Sequence, residues 1–124
     1  MASVELTAEN FDATITDNDI VVVDFWADWC GPCKMFAPTF EAASEKDPQI
    51  VFGKVDTEAE QSLAAAAGIQ SIPTLMVFRE KVLLFSQAGA LPPAALEDLI
   101  TQVKGLDMAA VHAEIAKQQS NSNS

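Results

Sequence analysis

Basic residues are scarce in this 124-residue chain. Seven Lys and Arg stand against 18 Asp and Glu, a formal net charge of −11. Nucleic acids and anionic membrane surfaces are themselves negative, so such a chain is a poor partner for either. Cysteine is scarce too, with two residues, Cys30 and Cys33, both in one motif. None is left for a structural disulfide framework, which fits a reducing compartment and a cytoplasmic location. Histidine occurs once, as His112. A four-coordinate zinc site takes about four ligands, and two cysteines with one distant histidine do not supply them, so no metal is expected. No Lys or Arg precedes Lys34, so the basic start of a secretory signal is not seen. No apolar run approaches the ~18 residues of a membrane span, and Ile20 to Trp26 is broken by Asp24.

What is present is enough for one domain with a real core, since 49% of residues are hydrophobic. The organising stretch is Ile20 to Lys34, IVVVDFWADWCGPCK. Its β-branched start reads as a buried strand, and the residues after Cys30 read as a helix. The two cysteines therefore stand where a strand hands over to a helix N-terminus. Unpaired N–H groups and the helix dipole stabilise an anion there, and the thiolate is the reactive form of cysteine. Cys30 is expected to be the exposed member. Pro32 suits the first helical turn, and Gly31 allows a tight turn that leaves the sulfur uncovered. Such a pair can alternate between dithiol and disulfide without a change of fold.

WCGPCK, preceded by VVVDFWAD and followed by SIPT at residues 71–74, resembles the thioredoxin family. The resemblance covers roughly residues 3 to 104. It implies an α/β thioredoxin fold, a central mixed sheet of parallel and antiparallel strands flanked by helices. It implies a protein-disulfide reductase working by thiol–disulfide exchange in redox homeostasis: Cys30 attacks a target disulfide, and Cys33 resolves the mixed disulfide. An NADPH-dependent flavoprotein, thioredoxin reductase, would recycle it, and disulfide-containing proteins would be its targets. The chain has no glycine-rich dinucleotide motif, so it is expected to carry no cofactor. It carries no oligomer signal, so a monomer is expected.

Further site residues follow. A carboxylate inside an apolar strand is costly unless partnered or protonated, so Asp24 is read as buried, with a raised pKa suited to proton transfer with Cys33. The resemblance matches Asp24 to the family's buried aspartate and Lys54 to the lysine near it. From sequence alone Lys54 is equally a surface lysine at a strand end. The resemblance also implies a cis bond before Pro73, facing the cysteines and presenting the Ile72 backbone to an extended substrate. Trp29, Gly31, Pro32, Ile72, Gly89 and Ala90 would then form the contact surface for targets, with Gly89 alternatively a simple strand-end turn. Trp26 is read as packing beneath the site.

Three rivals keep some weight. A metal module lacks ligands, and His112 as a catalytic base is remote in sequence. A non-catalytic binding subunit of the same fold would not need both cysteines, Asp24 and Ile72-Pro73. An oxidase or isomerase of this fold differs in its central dipeptide, and Gly31-Pro32 resembles that of the reductants.

In chain order, Ser3 to Leu6 is expected to form an edge strand. Thr7 is expected to cap a helix that carries Phe11 and Ile15 inward. The second helix runs from near Cys30 to about Lys46, bent by Pro38. Gln49 to Val55 forms a strand parallel to the first, and Thr57 to Gly68 an alanine-rich helix closed by Gly68. Thr74 to Arg79 and Val82 to Gln87 form a hairpin. Its Glu80-Lys81 connection does not favour positive φ, so a longer or different turn is expected. Pro93 to Lys104 is a helix with Ala95, Leu96, Leu99, Ile100 and Val103 inward. The expected division is a catalytic domain over 1–105, a helical extension over 106–119 led by Asp107, and a disordered low-complexity tail over 120–124. Met108, Val111, His112 and Ile115 would line one face of the extension.

Overall fold

The computed structural model describes residues 2–122. Five strands form one sheet: β1 (Val4–Glu5), β2 (Ile20–Trp26), β3 (Val51–Asp56), β4 (Thr74–Arg79) and β5 (Val82–Ala88), in the order β1-β3-β2-β4-β5. The first three run parallel, β4 runs antiparallel to β2, and β5 pairs antiparallel with β4. Helices α1 (Phe11–Asp17), α2 (Gly31–Lys46), α3 (Gln61–Ala66), α4 (Pro93–Lys104) and α5 (Met108–Ser122) complete the chain. This is the mixed α/β architecture expected from the sequence.

Strand alternation divides the core in two. Ile20, Val22, Phe52, Leu75 and Val77 pack with Phe36 and Phe40 of α2 and Leu96, Ile100 and Val103 of α4. Val21, Val23, Phe25, Val55 and Met76 face the other way, with Leu6, Ile15 and half-buried Leu63. β2 is covered on both faces, which is why its sequence is a continuous apolar run rather than an alternating one. Gly53 makes room for Leu6, just after β1, because a Cβ there would collide with the Leu6 side chain.

Several local expectations are corrected. Thr7 does not cap α1. Its carbonyl accepts from Asn10 and Phe11 N–H in a preceding turn, and Asn10 holds the N-cap position. The helix expected from Thr57 starts at Gln61, because Asp56 draws residues 57–60 into a turn. Its Oδ1 accepts from Glu58 N–H at 2.9 Å, and its carbonyl accepts from Glu60 N–H at 2.8 Å. Gly68 closes α3 with φ +72°. The parallel strand expected from Gln49 begins at Val51, after a turn closed by Ile50 N–H on the Asp47 carbonyl.

The hairpin turn is the clearest departure. Arg79 pairs with Val82, so only two residues connect the strands, and both have positive φ: Glu80 at 51° and Lys81 at 71°. Strand twist selects this turn type even where the residues disfavour it. The turn is held by Glu80 N–H donating to the Asp19 carbonyl at 2.8 Å and by a Glu80–His112 contact at 2.9 Å. A register shift between Val77 and Phe78 bulges β5 at Leu84.

α5 begins as expected, with Asp107 Oδ1 accepting from Ala110 N–H. Met108 is buried, and Val111 and Ile115 are half-buried. His112 points out to Glu80 rather than joining the apolar face. The helix continues past Gln119 through Ser120–Ser122, where a disordered tail was expected; residues 123 and 124 lie outside the described residues. No described helix is long and apolar enough to cross a membrane.

Candidate active site

β2 ends at Trp26, and the chain reaches α2 through Ala27, Asp28 and Trp29. Cys30 is the N-cap residue of α2, with extended φ −87° and ψ 110°. Its sulfur takes the place of the usual capping oxygen and accepts from Cys33 N–H at 3.2 Å. Pro32 occupies the first turn, where no N–H is needed. The capping N–H that contacts the sulfur is thus set to stabilise a thiolate at the same atom.

Cys30 and Cys33 form a disulfide with Cα atoms 5.3 Å apart. Both are 3% exposed, so Cys30 is not the exposed member of the pair in this state. The cause is packing: the two cysteines cluster with Ala27 and with half-buried Trp26 and Ile72. The Ile72 carbonyl oxygen lies 3.7 Å from Cys30 Sγ, and the Ile72–Pro73 bond is cis. Gly89 N–H donates to the Pro73 carbonyl at 2.8 Å, which ties the end of β5 to the same loop.

A groove of about 650 Å³ runs beside the disulfide. One wall is Trp29, Cys30, Gly31 and Pro32, and the other comes from Thr57, α3 and the Ile69–Ile72 loop. Trp29 is 70% exposed, with its indole N–H donating to Glu58 Oε1 at 2.8 Å. Of the expected contact residues, Trp29, Gly31, Pro32 and Ile72 line the groove. Gly89 and Ala90 are exposed but do not line it, and Pro73 is buried behind it. The α3 wall was missed from sequence; its only signal is the run of small side chains at Ala64 and Ala65. Glu58 carries no signal at all among 18 acidic residues.

Asp24 is 0% exposed, and neither carboxyl oxygen has a hydrogen-bond partner. It alternates with Val22 and Trp26, so it faces the α2 side of the sheet. Its pKa is raised from 3.8 to about 7, chiefly by burial; Lys54 opposes the shift and Glu41 adds to it. Lys54 is the register partner of Asp24 across β2 and β3. Its ammonium lies 5.0 Å from the centroid of the Trp26 ring, so it is held at the strand rather than free at the surface. The structure thus brings Asp24 and Lys54 together. It leaves His112 apart, at the hairpin end of the sheet. β2 alone separates the two ends by roughly 20 Å. Among the described residues, no group of three or more His, Cys, Asp or Glu could hold a metal ion.

Comparison with known proteins agrees with this geometry. The thioredoxin family profile matches residues 2–102. A protein described as putative thioredoxin 2 from Streptomyces coelicolor is 60% identical over 118 residues, 95% of this chain and 88% of that one. Thioredoxin from Bacillus subtilis is 38% identical over 103 residues, covering 82% and 98% of the two chains. A solved thioredoxin variant from Halobacterium salinarum aligns with a TM-score of 0.77 at 35% identity, covering 84% and 91%. The chain belongs to the thioredoxin family, and it is a thiol–disulfide oxidoreductase whose exchange centre is the Cys30–Cys33 pair.

Proposed function

We propose that Asp24 serves the resolving step of this exchange, with Lys54 modulating it, and that the groove beside Trp29 receives the target chain. In the reduced protein, the Cys30 thiolate attacks a target disulfide. One target sulfur leaves as a thiolate and takes up a proton, while Cys30 becomes joined to the other. Cys33 then gives its proton to the Asp24 carboxylate and attacks Cys30 Sγ. The second target thiolate leaves, and the Cys30–Cys33 disulfide forms. Two electrons have passed to the target. Because Cys33 is tethered three residues away, this step is intramolecular and the mixed disulfide is short-lived.

The observation that carries this assignment is the pairing of a sulfur-capped helix start with a fully buried, unpartnered carboxylate on the sheet face that α2 covers. An acid with a pKa near 7 can both release and accept a proton at neutral pH. An extended target segment fits the groove, where the Ile72 backbone is positioned for strand-like pairing. Gly31 and Pro32 leave the rim low, Pro73 backs the Ile72 loop, and Gly89 and Ala90 allow close approach beyond it. The electron donor we assign is an NADPH-dependent flavoprotein reductase, which would hold the nicotinamide and flavin itself. The working unit we assign is a monomer in a reducing cytoplasm, with residues 1–105 as the catalytic domain and α5 as an appendage.

Cys33→Ser tests the order of the two cysteines. The variant is expected to accumulate a covalent complex with a disulfide-containing protein, released by dithiothreitol and absent in Cys30→Ser. A folded Cys33→Ser protein that captures nothing would contradict the scheme.

A further inference from the structure

Asp24 is not the only acid with a buried, unpartnered oxygen. Glu41, on α2, has one carboxyl oxygen, Oε2, buried without a partner. Its other oxygen accepts a hydrogen bond from the Ser3 hydroxyl, which reaches it from the N-terminal segment. Ser3 also lines a cavity of about 350 Å³ with Val4, Glu5, Trp26, Lys54 and Asp56. Its wall is largely apolar, with polar groups from Ser3, Glu5, Lys54 and Asp56, and it has room for several waters. It therefore joins Ser3, which holds Glu41, to Lys54, which stands beside Asp24. The Trp26 indole N–H, also buried, has no partner among the described residues.

We propose that Glu41, fixed by Ser3, is a positioning residue that keeps the resolving-step proton on Asp24, building on the proton-transfer role proposed above. Asp24 and Glu41 face the single ammonium of Lys54, and Glu5 and Asp56 add further acids along the cavity, so acidic groups outnumber the one base. The favoured arrangement ionises one acid and keeps a proton on the other. A hydroxyl donor stabilises a carboxylate, and Ser3 supplies it to Glu41 alone. Asp24, with no donor of its own, is therefore the acid whose protonated form the site favours once it has taken the Cys33 proton. The raised pKa of Asp24, to which Glu41 contributes, agrees with this division. The charged groups around Asp24 are Glu41 on α2 and Lys54 on β3, with Glu5 and Asp56 along the cavity.

The test follows the Asp24 carboxyl carbon by NMR across pH in Glu41→Gln, Ser3→Ala and Glu41→Asp, beside the pH profile of disulfide exchange. Glu41→Gln is expected to lower the Asp24 midpoint by about one pH unit, the size of a lost like-charge neighbour. Ser3→Ala should move it the same way by less, and it tests the idea even if Glu41→Gln does not fold. Glu41→Asp, which keeps the charge, should restore most of the midpoint. The exchange profile should shift with the midpoint. An unmoved Asp24 midpoint in folded Glu41→Gln overturns the role of Glu41 and leaves that of Asp24 intact. A midpoint that moves while the exchange profile stays in place overturns the role of Asp24, and that of Glu41 with it.

Discussion

Asp24 is held in a site that suits the acid and not the carboxylate, and this has a cost that depends on pH. In the unfolded chain its pKa is near 3.8; in the folded protein it is about 7. Between these values the folded state keeps a proton that the unfolded state has lost. Folding stability therefore falls as pH rises from about 4 to about 7 and is level on either side. The two pKa values set the penalty above pH 7 at about 4 kcal/mol. Asp24→Asn should accordingly raise stability to chemical denaturation above pH 7 by up to that amount, with little gain below pH 4. Equal stability of the two proteins at pH 8 would show that the carboxylate is accommodated after all. The same variant should slow exchange at neutral pH, so stability and activity move in opposite directions. Asp24 was legible in the sequence because a lone acid within Ile20–Trp26 breaks an otherwise apolar strand. Glu41 was not, since one glutamate on a helix reads as solvated until the fold places Ser3 against it. The near-complete burial of Cys30 was also invisible, because it is set by Ile72, 42 positions along the chain.

The elements differ in how far their own residues determine them. α2 was legible at both ends, since Cys30-Gly31-Pro32 starts it and Asp47 follows its last residue, Lys46. The β4–β5 turn was not. Neither Glu80 nor Lys81 prefers positive φ, yet pairing on both flanks leaves room for only two residues. A non-glycine residue in the left-handed region costs on the order of 1 kcal/mol. Lys81→Gly is expected to recover much of this, less the added entropy of glycine in the unfolded chain, and to raise the melting temperature by a few degrees. Glu80 is left in place because it contacts His112 on α5. A melting temperature that falls would mean that Lys81 makes interactions that outweigh its backbone cost. α3 was misjudged for a related reason: its alanine-rich run reads as a helix from Thr57, but Asp56 and the Trp26 carbonyl capture the first residues. That capture carries Glu58 to the Trp29 indole, so the shortened helix helps define the groove.

In the whole molecule, chemistry and reinforcement lie at opposite ends of one sheet. The cysteines follow the C-terminal edge of β2, where the Ile72–Pro73 loop and the groove converge. The other end is closed by the hairpin turn and α5. There the Arg79 guanidinium donates to the carbonyls of Val103, Lys104 and Leu106. A core packed on both faces of β2 gives the exchange centre a rigid base, so a disulfide between residues three apart can open and close while the sheet stays fixed. The central claim, that Cys30 initiates electron transfer from a reductase to protein disulfides, is tested most directly by a coupled assay. Thioredoxin reductase, NADPH and a disulfide-bonded protein substrate are mixed with this chain, and NADPH consumption is followed. Sustained turnover that is abolished in Cys30→Ser is the predicted result. Turnover that survives in Cys30→Ser, or none with the unaltered chain although dithiothreitol reduces its disulfide, would contradict it.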